Sequence, residues 1–230
     1  AAQPGVAVEV LFTAAERTPA LHEVCRRLES GGALSVRGVS SAAQPFLAAC
    51  LHRLFPERPL VVVAENLKRQ EAIYQDLQTW LPSRAGSSAV DPGRQRGSSE
   101  SRPAGEHGST PRCPGRLFFY PAWEVRPDST ELPHADVISE RLETLLALAT
   151  TEPRPVGAAA VIVTSAVALL QRTFARDILR ARTRRLQRGD RSDPRELIEW
   201  LESQAYEIEA QVTQKGEASW RGGVLDVFPL

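Results

Sequence analysis

Between Gly38 and Pro45 the chain reads GVSSAAQP, with Ala43 five positions after the glycine and Gln44 and Pro45 next. A phosphate loop runs G-x-x-x-x-G-K-[ST] between a strand and a helix. Its glycines let backbone N–H groups reach phosphate, its lysine meets the β and γ phosphates, and its hydroxyl holds magnesium. Aligned on Gly38, the spacing survives and the chemistry does not. Alanine at 43 crowds the approach and disfavours a positive φ, glutamine at 44 has no charge, and proline at 45 offers neither hydroxyl nor N–H. The same residues also read as a plain strand-turn-helix, with Ser40 or Ser41 near the cap and Pro45 in the first turn. Spacing alone does not choose between the two. On either reading Gly38, Ala43, Gln44 and Pro45 are not expected to bind nucleotide.

Glu131, His134 and Asp136 have the types for acid-base or metal chemistry, but with Pro133 they read first as the lead-in to the helix ISERLETLLAL. Glu140 and Arg141 in that helix are expected to form an ion-pairing face. No serine or cysteine nucleophile has a base at a useful spacing. Neither a catalytic residue nor a metal ligand is expected.

The elements that must position these residues alternate. The first helix is placed after Thr18, which can cap, with Pro19 at the first position, Leu21, Val24, Cys25 and Leu28 at helical spacing, and Gly31-Gly32 as the stop. LSVRGV, PLVVVA, RLFFYP and AAVIVTS are short strand-like runs, separated in part by the helical patterns ENLKRQEAIYQDLQTWL and ADVISERLETLLALA. Apolar strands alternating with helices predict an α/β fold with a parallel sheet covered on both faces. From Pro82 to Arg116 Gly, Ser, Pro and Arg dominate, and a disordered insertion is expected there. From Arg172 to Arg195 nine arginines face three aspartates, Asp177, Asp190 and Asp193. That stretch reads first as a solvated connector and second as a nucleic-acid contact, since aromatic residues for stacking are nearly absent. A second unit is expected to begin near Arg182. Asp193, Pro194 and Glu196 cap a helix bearing Leu197, Ile198 and Leu201, and YEIEAQVTQ and EASWRGGVLDVF follow as two strands around a Lys215-Gly216 turn.

The bulk numbers bound what the chain can do. With 230 residues and 42% hydrophobic content it can build one α/β domain plus a small second one. The 28 basic residues balance 28 acidic ones, so no overall field draws it to nucleic acid or membrane. Cys25, Cys50 and Cys113 are odd in number and far apart, which suits reduced thiols in a cytoplasm rather than a disulfide or zinc framework. No apolar run approaches the roughly 20 residues of a membrane span, and the N-terminus lacks a signal-peptide pattern. The chain has no methionine and stops at DVFPL within a strand-like alternation, so it reads as a piece of something longer.

RPLVVVAENLKRQEAIYQDLQTWL, FFYPAWEVRPDSTELPHADVISERLETLLAL, AAVIVTSAVALLQRTF and QVTQKGEASWRGGVLDVFP together resemble the N-terminal, UvrB-like module of the bacterial transcription-repair coupling factors, the Mfd family. PHADVISERLETL and GEASWRGGVLDVFP are the most specific parts. The resemblance implies a RecA-like, P-loop helicase-type first domain with a degenerate loop, residues 1–181 with the insertion 82–116. It implies further that residues 182–230 are the start of a small α+β second domain of the UvrB type, which docks the excinuclease subunit UvrA. Arg221 falls on an arginine that the family uses at the UvrA surface, whereas Ile208 and Ser219 stand where UvrB carries arginines. RNA polymerase, DNA, ATP and magnesium are expected only in downstream domains that these residues do not include. Two other readings compete with a non-catalytic recruiting module: an ATP-dependent UvrB-type excinuclease subunit, and a general nucleic-acid-binding α/β domain. The last predicts salt-dependent binding to DNA in general, and the recruiting module almost none.

Overall fold

The computed structural model describes residues 4–81, 117–125, 131–149 and 159–230, so the expected insertion 82–116 lies outside the described residues. The chain divides into two compact units. Residues 1–59, 76–117 and 154–160 form the first, and 60–75, 118–153 and 161–230 the second.

In the first unit α1 (Pro4–Glu16) precedes the helix expected to open the chain. Val6, Val8 and Val10 alternate with a strand-like period of two and conceal the helix. Burial anchors it: Phe12, 1% exposed, has its ring 5.2 Å from Phe46 and 6.2 Å from Trp80. Helix α2 (Pro19–Ser30) starts as its sequence dictates, with the Thr18 hydroxyl accepting the Leu21 N–H, and it ends at Gly31 with φ +78°. The run LSVRGV forms no strand. Gly38 adopts φ +83°, which breaks an extended backbone, and residues 34–39 find no ladder partner among the described residues. A strand without a neighbour has nothing to hold it. Helix α3 (Gln44–Leu54) follows and buries Pro45, Ala49, Cys50 and His52. Burial pushes the Cys50 thiol up to about 11, so it is an inert core group.

The second unit holds β1 (Leu60–Ala64), β2 (Leu117–Tyr120) and β3 (Val161–Ser165) in the order β1-β3-β2. Strand β1 lies parallel to β3, from Leu60 opposite Val161 to Ala64 opposite Ser165. Helices α4 (Leu67–Trp80), which belongs to this unit as far as Gln75, α5 (Ala135–Ala149), α6 (Ala166–Leu170) and α7 (Arg176–Ala181) complete an α/β arrangement. Every residue of β3 is buried, but Val61 and Val63 of β1 are each 50% exposed. Cover on both faces therefore holds at the central strand and not at the β1 edge. Two polar side chains tie the helices to strand ends. The Gln70 amide donates to the Tyr120 and Val163 carbonyls at 3.0 and 3.1 Å, and the Thr144 hydroxyl donates to the Phe119 carbonyl at 3.2 Å.

Arg141 is not on an ion-pairing face. It is fully buried, its guanidinium lies 4.2 Å from both the Tyr120 and Trp123 ring centroids, and Nη1 donates to the Pro121 carbonyl at 2.6 Å. The apolar stripe of α5 turns position 141 inward, where two rings replace the expected carboxylate.

The C-terminal part of this unit has its own small core. Asp193 caps α8 (Pro194–Ser203) by accepting the Arg195 N–H at 2.9 Å. Leu197 and Leu201, one helical turn apart, pack with Ala218, flanked by Trp200, Tyr206, Leu225 and Val227. Glu196 does not close the expected capping box; its carboxylate meets Arg184 at 3.2 Å. The strand pattern also differs from expectation. β4 (Glu207–Ile208) is short and runs parallel to β5 (Glu217–Arg221), and β5 pairs antiparallel with β6 (Val224–Val227). The hairpin turn is therefore Gly222-Gly223, at φ +56° and +84°, and not Lys215-Gly216. Two consecutive positive φ values are what a two-residue hairpin loop with native twist requires.

Candidate partner-binding surface

The hairpin β5–β6 sorts its side chains by the period of two. Ala218, Leu225 and Val227 pack on the α8 core, and the pairs Ala218–Val227 and Trp220–Leu225 put Trp220, 43% exposed, on the same face. The other face carries Glu217, Ser219 and Arg221 from β5 and Val224 and Asp226 from β6, followed by Phe228. Its inner end is closed. The Ser219 hydroxyl donates to the Ala210 carbonyl at 3.0 Å, and Glu217 accepts the Thr213 and Gln214 N–H groups at 2.6 and 2.9 Å. Those backbone donors hold the Glu217 carboxyl below its ordinary value.

The outer end is open. Arg221 is exposed and makes no hydrogen bond or ion pair with a side chain among the described residues, and Val224 opposite it is 60% exposed; Phe228, 42% exposed, lies on the same face at the other end, opposite Glu217. Arg221 sits opposite Val224, immediately before the turn, rather than in line with Gly223 along one continuous strand. An unpaired guanidinium beside the exposed Val224, on the same face as Asp226, can bind a surface that presents a carboxylate next to an apolar group. The Gly222-Gly223 pair was the signal for this hairpin, since two glycines flanked by apolar-rich runs call for such a turn.

Residues 38–45 belong to the first unit and Arg221 to the second. Gly38 keeps a positive φ, but Ala43 and Gln44 both direct their N–H groups to the Ser40 carbonyl, at 2.9 and 3.2 Å. Ala43 stands at the N-cap of α3 without a side-chain cap bond, Gln44 is the first helical residue, and Pro45 is buried. Two N–H groups of the turn are thus engaged within it. His134, Asp136 and Glu131 do lead into α5 as expected: the His134 carbonyl accepts the Ile138 N–H, and His134 Nδ1 accepts the Asp136 N–H. Their sequence did not disclose Lys215, whose ammonium lies 2.8 Å from Asp136 and 3.2 Å from the Ser139 hydroxyl. That ammonium holds the Asp136 carboxyl low. Among the described residues no group of three potential metal ligands occurs, and no helix is long and apolar enough to cross a membrane.

Residues 185–230, which hold α8 and the hairpin, match the family model described as the UvrB interaction domain. The transcription-repair-coupling factor of Escherichia coli (strain K12) is 32% identical over 108 residues, 47% of this chain. That of Haemophilus influenzae (strain ATCC 51907 / DSM 11121 / KW20 / Rd) is 29% identical over 114 residues, 50% of the chain. The matched part spans 9% of each of these relatives. The chain therefore matches the UvrB interaction domain over residues 185–230 and is similar, over about half its length, to a small part of two transcription-repair-coupling factors.

Proposed function

We propose that this chain is a non-catalytic recruiting module of transcription-coupled nucleotide excision repair, whose second domain, residues 182–230, docks UvrA through the open face of the β5–β6 hairpin. The observation that carries the reading is Arg221: an exposed arginine without a side-chain partner among the described residues, at a hairpin tip, inside the region that matches the UvrB interaction domain. Val224 supplies apolar area beside it, and Phe228 extends the same face toward Glu217. The first domain, residues 1–181, is a degenerate member of the P-loop helicase type on this reading. It needs no cofactor, and the module acts in the cytoplasm. RNA polymerase, DNA translocation, ATP and magnesium belong to other parts of the intact coupling factor.

An ATP-dependent UvrB-type subunit is the weaker reading. Ala43, Gln44 and Pro45 lack the glycine, lysine and hydroxyl of a working loop, and the Ala43 and Gln44 N–H groups are engaged by Ser40. The test is surface plasmon resonance of purified UvrA against the gene product that contains this chain. An arginine desolvated against a carboxylate at an interface contributes about 2 kcal/mol or more, so Arg221→Ala should weaken binding about thirtyfold. The melting temperature should not move. Equal binding by the wild type and Arg221→Ala, at matched folding, would remove Arg221 from the site.

A further inference from the structure

The connector between α7 and α8 has a charge pattern that the recruiting role does not use. From Arg182 to Arg195 it carries Arg182, Arg184, Arg185, Arg188, Arg191 and Arg195 against Asp190 and Asp193. Both aspartates are committed to backbone. Asp190 accepts the Gln187 N–H at 2.7 Å, closing a turn that Gly189 permits with φ +99°, and Asp193 accepts the Arg195 N–H at the α8 cap. Glu196 reaches Arg184. Arg182, Arg188, Arg191 and Arg195 are left exposed, and no side chain among the described residues pairs with them.

We propose that this connector is a sequence-independent contact for the phosphate backbone of duplex DNA. The four exposed arginines are spread over fourteen residues, three on the irregular segment and Arg195 in the first turn of α8, a spacing along the chain that suits a repeating anion. Lining by arginine with one exposed apolar side chain, Leu186, gives an acidic peptide no anchor. Single strands are captured by stacking on aromatic side chains, and Trp200, the aromatic residue nearest the connector on its C-terminal side, packs against the core of α8. Phosphate contacts need neither. The inference rests on the connector alone and departs from the expectation that a recruiting module binds almost no DNA; it adds a second contact to UvrA docking by the hairpin, and Arg221→Ala should leave duplex binding unchanged.

The experiment uses the whole chain, with fluorescence anisotropy of a labelled 20-base-pair duplex of arbitrary sequence (about two helical turns). Four phosphate contacts predict an affinity that falls about a hundredfold between roughly 50 and 200 mM salt. The quadruple variant Arg182→Ser, Arg188→Ser, Arg191→Ser, Arg195→Ser should lose at least about tenfold at the lower salt, and the matching Arg→Lys quadruple should keep most of the binding. Arg26→Ser with Arg27→Ser, which removes paired arginines of α2, should change nothing. Four results would each overturn the proposal: no duplex binding at low salt, equal binding by the serine quadruple, tighter binding to the single strand, or binding to poly-glutamate but not to duplex.

Discussion

Arg141 is the largest fully buried side chain among the described residues, and no carboxylate there answers its charge. Two rings and one carbonyl hold it, and its Nε and Nη2 lack a hydrogen-bond partner among those residues. A buried cation retained on such terms contributes through packing between the two rings more than through its charge. Arg141→Ala should therefore cost about 3 kcal/mol by leaving a cavity between Tyr120 and Trp123, whereas Arg141→Met should cost less than about 1.5 kcal/mol. Urea unfolding of the two variants measures both, and an equal loss would show that the charge itself is what matters. At the loop, the expected outcome of calorimetric titration with Mg-ATP is no saturable heat. Charged hydrogen bonds contribute about 1.5 to 3 kcal/mol each, and Ala43, Gln44 and Pro45 remove several together. A micromolar dissociation constant would contradict a degenerate loop.

At the scale of elements, the hairpin depends on its turn. Gly222→Val places a β-branched residue at φ +56° and should cost about 1 to 2 kcal/mol, while Gly222→Asn, a residue suited to the first place of such a turn, should be nearly neutral. Thermal unfolding followed by tryptophan fluorescence reports it through Trp200 and Trp220. The same element has an acid limit. The folded-state value of Glu217 lies below the ordinary 4.5, so the stability it gives is fully present above 4.5 and is lost as pH falls through the depressed value. Glu217→Gln should flatten the acid side of the stability profile without removing all of it, because Asp136 is held low by Lys215 and titrates in the same sense. A profile unchanged by Glu217→Gln would contradict this assignment. Much of this level was legible in the sequence. Helices α2, α4, α5 and α8 and strands β1, β2 and β3 follow from periodicity and caps that packing reinforces. LSVRGV and YEIEAQVTQ misled because β-propensity becomes a strand only where a neighbour completes the ladder, and only Glu207–Ile208 found one. Arg141 was hidden because a helix pattern does not reveal which rings lie opposite it.

At the scale of the whole molecule, Arg221 stands out by its place in a recognisable stretch, and the structure shows it exposed. Its face was not legible, since the expected turn stood at Lys215-Gly216 and put Arg221 in line with Gly223 on one strand. With the turn at Gly222-Gly223, the surface becomes Arg221, Val224, Asp226 and Phe228, a group that spans both strands. Substituting Val224→Asp should therefore impair UvrA binding about as strongly as Arg221→Ala, with surface plasmon resonance as the check and undiminished binding as the contrary result. The most direct measurement is hydrogen exchange of the full gene product with and without UvrA, read peptide by peptide. The account predicts slowed exchange over residues 219–228 and no change over residues 38–45. Protection that spares the hairpin and appears elsewhere in the chain would contradict it.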